Sequence, residues 1–371
     1  MAGMKTRIVM GTFAALLAVG CSKKKPEEGK EPAVGTGATT QPVGSGGSAG
    51  SGSAATTPEA PKPDPKLLAR GEYVAKMFGC GVCHVGFGPT GPDFSKPFSG
   101  GLEIPEVFGT WRGPNITPHK GSGIGNWKVE EIMAAVREGV RPDGSHLYPV
   151  MPYLNFNRMT DDDARALAVY LQSIPAIDNV VAPNKDLKMP QVPAPKPENK
   201  PDPVDDPVKH GEYLVTVMHC NACHASPGKD GMPDMAHPFS GGMVMELPIF
   251  GEGKLIPANL TSDKETGLGK WSEADIAKAL KTMTRPDGTT IQGPMQFYQA
   301  GWSTLEDKDI NAVAAFIHQL PAEKHKVPKS TFKPKPMGPP PGAGSGSAAA
   351  GSGTGSAAAG SAAAGSGSAT K

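Results

Sequence analysis

The sequence has almost no net charge, few cysteines and no apolar run long enough to cross a membrane. Its 37 lysines and arginines and 36 acidic residues give a formal net charge of +1, which argues against a nucleic acid as partner. The apolar run at residues 8–19 is shorter than the roughly 20 residues that a membrane-spanning helix needs. Four of the five cysteines lie in two pentapeptides, so almost all thiol chemistry is confined to one repeated pattern.

Two segments contain too little apolar surface to fold. Residues 29–60 and the stretch from residue 334 onward consist largely of Gly, Ser, Ala, Thr and Pro. Ordering such a chain costs about 1–2 kcal/mol per backbone residue, with little burial to offset it. The predicted organisation is a disordered linker at 22–65, a domain at 66–180, a proline-rich extended linker at 181–204, a domain at 205–326 and a disordered tail at 327–371.

The N-terminus has the pattern of a bacterial export signal. Lys5 and Arg7 precede the apolar run, and Cys21 ends a "LLAVGC" sequence that is similar to a lipoprotein cleavage site. Residues 1–21 are therefore interpreted as a signal peptide with its anchor cysteine. This interpretation places the protein in the periplasm or cell envelope, held to a membrane by acyl groups on Cys21. The alternative is plain secretion, with Cys21 removed in the signal.

The chain repeats a unit of roughly 110 residues. The segment "RGEYVAKMFGCGVCH" at 70–84 matches "HGEYLVTVMHCNACH" at 210–224. The motifs "PFSGG", Asn-x-Thr, Gly-x-Gly-x-Trp and "RPDG" then follow in the same order in both halves. An internal duplication is therefore expected.

Each copy has the pattern of helices joined by long loops. Apolar side chains between residues 71 and 78 form a stripe that ends at the first cysteines. A middle helix is expected after Trp127 and after Trp271, and a last helix is expected to start at Thr160 and at Thr304. Strand alternation is never sustained, so the predicted fold is all-α.

Two local features refine this prediction. Ser272 and Asp275 are spaced as a capping box at the start of the middle helix of the second copy. Gly71 and Gly211 lie in otherwise helical runs, where a glycine allows another backbone to come close. The last helix of each copy is the expected neighbour.

The Cys-x-x-Cys-His motif occurs at 80–84 and again at 220–224. Two cysteines at this spacing can each form a thioether to a haem vinyl group, and the next histidine is then held beneath the iron. A zinc site would bring paired Cys-x-x-Cys units much closer in sequence, and a thioredoxin-like site would need a βαβ context. The motifs therefore predict two covalently bound haem c groups. The predicted thioether cysteines are Cys80, Cys83, Cys220 and Cys223, and the predicted proximal ligands are His84 and His224.

The second axial ligand of each iron separates an electron carrier from an enzyme. A thioether sulfur closes the site, whereas an open position admits a substrate. Among the 16 methionines, Met151 and Met295 stand at matching positions after the repeated "RPDG". They are the predicted sixth ligands. His146 is the alternative in the first copy, although its counterpart is Thr290.

Two further repeated residue types allow two interpretations. Trp127 and Trp271, with Arg141 and Arg285, could donate hydrogen bonds to haem propionates. Alternatively, each tryptophan packs in the core and each arginine flanks a Pro-Asp-Gly turn.

The order of these motifs resembles class I cytochrome c domains. Specifically, it resembles those in the multi-haem cytochrome subunits of membrane-associated alcohol, aldehyde and gluconate dehydrogenases. The likeness rests on Cys-x-x-Cys-His, Asn-Ile-Thr-Pro, Gly-Ile-Gly-x-Trp, Arg-Pro-Asp-Gly, Met-Pro-Tyr, Thr-Asp-Asp-Asp and Leu-Gln-Ser-Ile-Pro. It covers 66–175 and 206–321 and is looser in the second copy, where Gln follows Met295. It implies two tandem class I domains with His/Met ligation and one-electron transfer.

The predicted function is that of a di-haem cytochrome that carries single electrons in the bacterial cell envelope. No residue is assigned a catalytic role. The expected partners are redox proteins: a dehydrogenase, a quinol-oxidising complex or a terminal oxidase. One alternative is a di-haem enzyme of the peroxidase or thiosulfate-oxidising type, which needs one haem with an open position. The other is the electron-accepting cytochrome subunit of a dehydrogenase.

Overall fold

Helices separated by long loops form the frame of this computed structural model. The described residues all belong to one compact unit. Within them, no helix is long and apolar enough to span a membrane. The predicted signal peptide and Cys21 lie outside the described residues, as do most of the N-terminal linker and of the tail. The structure describes residues 63–88, 91–106, 108–185, 187–229 and 231–335.

Five helices follow one another in each half of the described chain. In both halves the long first helix and the long last helix pack against each other. The helices of the first half are α1 (Pro65–Met77), α2 (Cys80–Cys83), α3 (Val129–Glu138), α4 (Tyr153–Phe156) and α5 (Asp161–Ser173). Those of the second half are α6 (Pro207–Val217), α7 (Cys220–His224), α8 (Glu273–Thr282), α9 (Met295–Trp302) and α10 (Asp307–His318).

The helix starts agree with the sequence at three of four predicted places. Both middle helices follow their tryptophans, and Ser272 and Asp275 form the predicted capping box. Thr160 caps α5, because its hydroxyl accepts a hydrogen bond from the Asp163 backbone N–H at 3.1 Å. The predicted start at Thr304 is wrong. Its hydroxyl instead donates to a carbonyl at the end of α9, and α10 begins after Glu306.

Gly71 and Gly211 allow the first and last helices of each half to touch. A Cβ on Gly71 would lie 2.1 Å from the carbonyl oxygen of Ala166, and one on Gly211 would lie 1.9 Å from that of Ala312. Real Cβ atoms do not approach that closely, so these positions require glycine. The predicted close approach is confirmed in both halves.

The prediction of an all-α fold is corrected by five two-stranded antiparallel sheets in the loops of the described chain. No strand exceeds four residues, which is too short for a readable alternation of apolar and polar residues. In the first half β1 (Gly86–Gly88) pairs with β2 (Gly91–Asp93), and β3 (Glu103–Glu106) with β4 (Gly109–Arg112). In the second half β5 (Ser226–Pro227) pairs with β6 (Pro233–Asp234), β7 (Met245–Glu246) with β9 (Lys254–Leu255), and β8 (Gly251–Glu252) with β10 (Lys333–Pro334).

One apolar core runs through both halves. It contains fully buried side chains of the first half, such as Met77 and Met159, together with Leu214 and Ile310 of the second. A smaller cluster lies under the sheets and includes Phe332. The halves therefore share a continuous interior instead of meeting at a polar surface.

Residues 181–185, 187–204 and 327–335 contain no helix. The proline-rich segment accepts hydrogen bonds on its carbonyl groups from Tyr153 at Val192 and from Asn157 at Pro195. The last segment was assigned to the tail, yet it carries β10 and the buried Phe332. The folded part of the chain therefore continues at least to residue 335.

Two tyrosines join the halves in a reciprocal manner. The Tyr73 hydroxyl on α1 donates a hydrogen bond to the Asp309 carboxylate on α10 and accepts one at 3.1 Å from the N-cap N–H of that helix. The Tyr213 hydroxyl on α6 donates to Asp163 on α5 at 3.0 Å and accepts one at 3.4 Å from the N-cap N–H of α5. Each of these reciprocal tyrosine contacts therefore caps the last helix of the other half.

A cationic side chain also binds each of the two aspartates that accept from a tyrosine. The Arg70 guanidinium donates to Asp163 at 2.6 and 2.8 Å. At the matching place, the His210 ring hydrogen-bonds Asp309 at 2.8 Å and Asp202 at 2.6 Å. Burial lowers the pKa of His210, but the hydrogen bonds and charges of Asp202 and Asp309 outweigh it and raise the pKa to about 9. His210 is therefore a protonated double donor at neutral pH.

Candidate haem-binding sites

Both Cys-x-x-Cys-His motifs form a single helical turn directly after the long first helix of their half. The turn brings its two cysteines to the same side, because residues three apart on a helix are neighbours. Each turn is preceded by a residue in the left-handed region, Gly79 with φ 71° and His219 with φ 47°. A left-handed residue thus separates the long first helix from the motif in both halves.

The two motif histidines have one ring nitrogen fixed by the backbone. His84 Nδ1 lies 2.8 Å from the carbonyl oxygen of Pro114, and His224 Nδ1 lies 2.8 Å from that of Ala258. A carbonyl can only accept, so Nδ1 carries the proton and Nε2 keeps its lone pair for a metal. Burial lowers the pKa of both histidines despite these hydrogen bonds, which favours the neutral, ligating form.

The repeated Asn-x-Thr motif explains where these carbonyl groups come from. The residue before each asparagine supplies the carbonyl. Asn115 Oδ1 accepts a hydrogen bond from the Thr117 backbone N–H at 2.9 Å, and the Asn115 amide donates to the Ile177 carbonyl at 2.8 Å. Asn259 makes the matching hydrogen bonds in the second half. The repeat is visible in the sequence, but its role is not, because only the fold shows that the preceding carbonyl groups accept the hydrogen bonds of His84 and His224.

The "PFSGG" repeat binds the backbone carbonyl of each motif histidine. The Gly100 backbone N–H donates to the His84 carbonyl at 2.9 Å, and Gly241 does the same for His224 at 2.6 Å. Both glycines have positive φ, at 74° and 73°, and a Cβ on Gly100 would lie 2.5 Å from the Gly113 carbonyl oxygen. These loops therefore hold the histidine backbones rigidly.

The cysteines of the motifs have no character of activated thiols. None of the four is in a disulfide. Burial raises all four pKa values, whereas reactive thiolates and redox motifs have lowered ones. Within the described residues, no three His, Cys, Asp or Glu side chains converge to hold a metal ion by themselves. The pKa values rise to about 12 for Cys80 and Cys220 and to about 11 for Cys83 and Cys223.

The candidate sixth ligands occupy comparable places. Met151 lies just before α4 and Met295 is the first residue of α9, and both are partly buried against the shared core. His146, the alternative in the first half, has a buried Nδ1 without a hydrogen-bond partner. Its ligand role and those of the two methionines remain predictions.

The repeated arginines support their own turns. Arg141 Nη1 donates to the His146 carbonyl at 2.8 Å, and Arg285 Nη1 donates to the Thr290 carbonyl at 2.8 Å. This geometry favours the turn-flanking interpretation for both arginines. Trp127 and Trp271 are partly buried and pack against the core.

Comparison with known proteins agrees with this geometry. The cytochrome c family profile matches residues 208–321. The chain is also 31% identical over 283 residues to a diheme cytochrome c-type protein of Cereibacter sphaeroides, and the alignment covers 70% of this chain and 90% of that protein. The chain belongs to the cytochrome c family.

Dehydrogenase subunits are among the relatives of this cytochrome. The chain is 35% identical over 282 residues to the cytochrome c subunit of a quinone alcohol dehydrogenase from Gluconobacter oxydans, covering 70% of this chain and 56% of that protein. It is 32% identical over 281 residues to the gluconate 2-dehydrogenase cytochrome c subunit of Pantoea cypripedii, covering 69% and 60%. It thus spans little more than half of the length of these subunits.

As a cytochrome c, the protein binds haem c covalently and transfers electrons. The residues present fit this group. Each motif offers two thiols on one side of a helical turn and a histidine whose Nε2 is free to ligate.

Proposed function

We propose that the protein is a di-haem c-type cytochrome of two tandem class I domains, with His/Met ligation at both irons. The observation that carries the proposal is the matched pair of histidines, His84 and His224, each with Nδ1 bonded to a backbone carbonyl at 2.8 Å. Family membership requires one such site, and the same local structure twice argues for two. The diheme relative from Cereibacter sphaeroides supports this count.

The protein's own residues supply attachment, ligation and rigidity. Cys80 and Cys83 would form the thioethers of the first haem, with His84 and Met151 as the ligands of its iron. Cys220, Cys223, His224 and Met295 would do the same for the second. Bound haem would supply the one-electron chemistry of the Fe(II)/Fe(III) couple. The loops that bond His84 and His224 keep ligand positions fixed, which limits rearrangement when the charge changes.

The partner and location are further parts of the proposal. Two relatives are cytochrome subunits of alcohol and gluconate dehydrogenases, which supports a dehydrogenase as electron donor for this chain. The N-terminal pattern around Cys21 supports a lipid-anchored protein of the cell envelope. A Cys21→Ala variant should then leave the membrane fraction, and retention there would contradict the anchor.

Haem counting tests the core of the proposal. The intact mature chain should have a mass that exceeds its amino acids and any acyl groups by two haems, since thioethers survive denaturation. Changing Cys220 and Cys223 to Ala should leave one haem. A wild-type chain with a single haem would reject the di-haem function.

The sixth ligands are tested by redox titration. Met151→Ala should leave both haems attached and lower the potential of one of them, because a thioether ligand favours Fe(II). Met295→Ala should lower the other potential. Val180→Ala is the control, because this side chain is 85% exposed and should not alter either potential. Two unchanged potentials in the Met151 variant would exclude this ligand.

A further inference from the structure

One aromatic side chain touches the chain in front of both haem motifs. Tyr298, on α9, lies with its ring against Gly79, where an added Cβ would be 2.1 Å from the tyrosine Cε1. The ring of His219 packs edge-on against Tyr298, with centroids 5.9 Å apart. Gly79 and His219 directly precede Cys80 and Cys220. Tyr298 therefore lies between the starting points of the two motifs.

Neighbouring side chains fix this position. Trp302 stacks on Tyr298 at 5.0 Å, and its indole N–H donates at 3.0 Å to the carbonyl of Met77, in the other half. His219 also packs edge-on against Phe156 of the first half, at 5.9 Å. The tyrosine and the histidine are thus held by contacts that cross between the halves.

The contact of Tyr298 with the two motifs has no counterpart made by the first half. The position of Tyr298 is occupied in the first half by Leu154, which is 44% exposed, and that of Trp302 by Arg158. Likewise, His219 stands where the first half has Gly79. A tyrosine fits between the motifs because the residue that it meets has no side chain.

We infer that Tyr298 and His219 are positioning residues that hold the two haem-attachment segments together for direct electron exchange between them. The inference rests on the proposed di-haem function. Electron tunnelling weakens steeply with distance, so a packed bridge between the segments favours exchange within the chain over exchange between molecules. The exchange moves one electron from the reduced site to the oxidised site, and no bond or proton changes.

The test compares haem-loaded full-length variants in two measurements. Circular dichroism in the Soret band reports the coupling of two nearby haems, and flash photoreduction reports the rate at which an electron redistributes between them. Tyr298→Leu introduces the residue of the first half. It should keep both haems by mass, weaken the Soret couplet and slow redistribution several-fold. Tyr298→Phe keeps the ring and should behave as the wild type, as should Leu154→Ala.

The outcomes separate this inference from the proposed function. A wild-type mass with one haem rejects the di-haem proposal itself. Two attached haems with unchanged coupling and rate in Tyr298→Leu overturn the bridge alone. A Tyr298→Phe variant as slow as Tyr298→Leu also overturns the role given to the ring. His219→Ala gives an independent check, since it should slow redistribution while the haem mass and axial spectra stay unchanged.

Discussion

The two halves hold their last helices with the same geometry but with different cations. In the first half Arg70 and the incoming Tyr213 share Asp163, and in the second half His210 and Tyr73 share Asp309. The Arg70 side chain is 36% exposed, whereas that of His210 is 6% exposed. One contact is therefore hydrated and permanently charged, and the other is buried and titratable.

This difference shows that two contacts with the same backbone geometry can depend differently on pH. Arginine stays protonated at every pH at which the protein is folded. His210 depends on Asp202 and Asp309 to keep its proton. The following experiments act on the matched positions of the two halves.

Removal of the buried carboxylates should have the largest effect. Asp309→Ala leaves the His210 cation buried without one of its two partners, which should lower the free energy of unfolding by about 3–5 kcal/mol. Asp163→Ala should cost less, because water can reach Arg70. Urea unfolding of both variants measures the difference. Equal losses would show that exposure does not distinguish the two contacts.

Substitution of the helix-contact glycines should have the next largest effect, and the two halves should behave alike. Gly71→Ala and Gly211→Ala each force a Cβ into a carbonyl oxygen about 2 Å away, and overpacking of this kind costs about 1–3 kcal/mol. Thermal unfolding measures the loss. Gly88→Ala serves as a control for an added methyl group, since nothing lies within 4 Å of its Cβ position and its backbone is not in the left-handed region.

The stability contributed by His210 should depend on pH, whereas that contributed by Arg70 should not. The pKa of His210 is about 9 in the folded protein and about 6.5 when unfolded. Its contribution is thus complete below pH 6.5 and is lost as pH rises towards and through 9. His210→Gln should be less stable than wild type at pH 6 and should lose less stability than wild type up to pH 9.5.

The matched control for that experiment is Arg70→Gln. It should lower the unfolding midpoint by the same amount at both pH values, because arginine does not titrate in this range. A wild-type protein with no loss of stability between pH 6.5 and 9.5 would contradict the protonated state of His210.

The smallest effect is expected at the middle helices. Ser272→Ala removes the side chain that accepts the Asp275 backbone N–H at 3.2 Å, which should cost about 1 kcal/mol. Lys128→Ala should cost almost nothing, since the α3 start relies on the Glu131 carboxylate, which accepts the Lys128 backbone N–H at 2.7 Å. Chemical denaturation compares the two. A larger loss at Lys128 than at Ser272 would contradict this account of the two helix starts.

Local patterns predicted the elements that depend on local chemistry. The Thr160 and Ser272 caps and the two Cys-x-x-Cys-His turns are encoded within a few residues of sequence. A glycine inside a helical run likewise marks where another helix comes close. The strands were missed because segments of two to four residues have no measurable periodicity. The α10 start was missed because Glu306, not Thr304, occupies its N-cap.

The contacts between halves could not be read from sequence for a different reason. Tyr73 and Tyr213 fit the apolar stripe of an ordinary helix, and nothing local marks a hydroxyl that will meet Asp309 or Asp163. Similarly, the sequence around Tyr298 is that of an ordinary core aromatic residue, and only the fold shows that its ring lies against Gly79. These roles depend on partners that only the folded chain brings together.

The hydrogen bond from the Trp302 indole to the Met77 carbonyl spans 225 residues, and that from Tyr73 to Asp309 spans 236. Closing such large loops costs conformational entropy before the burial of apolar surface can offset that cost. Contacts between residues this far apart in sequence therefore slow folding. A ribosome completes the first half long before it has made either partner. The carbonyl at the end of α1 and the Tyr73 hydroxyl therefore wait for their partners until Trp302 and Asp309 have been synthesised.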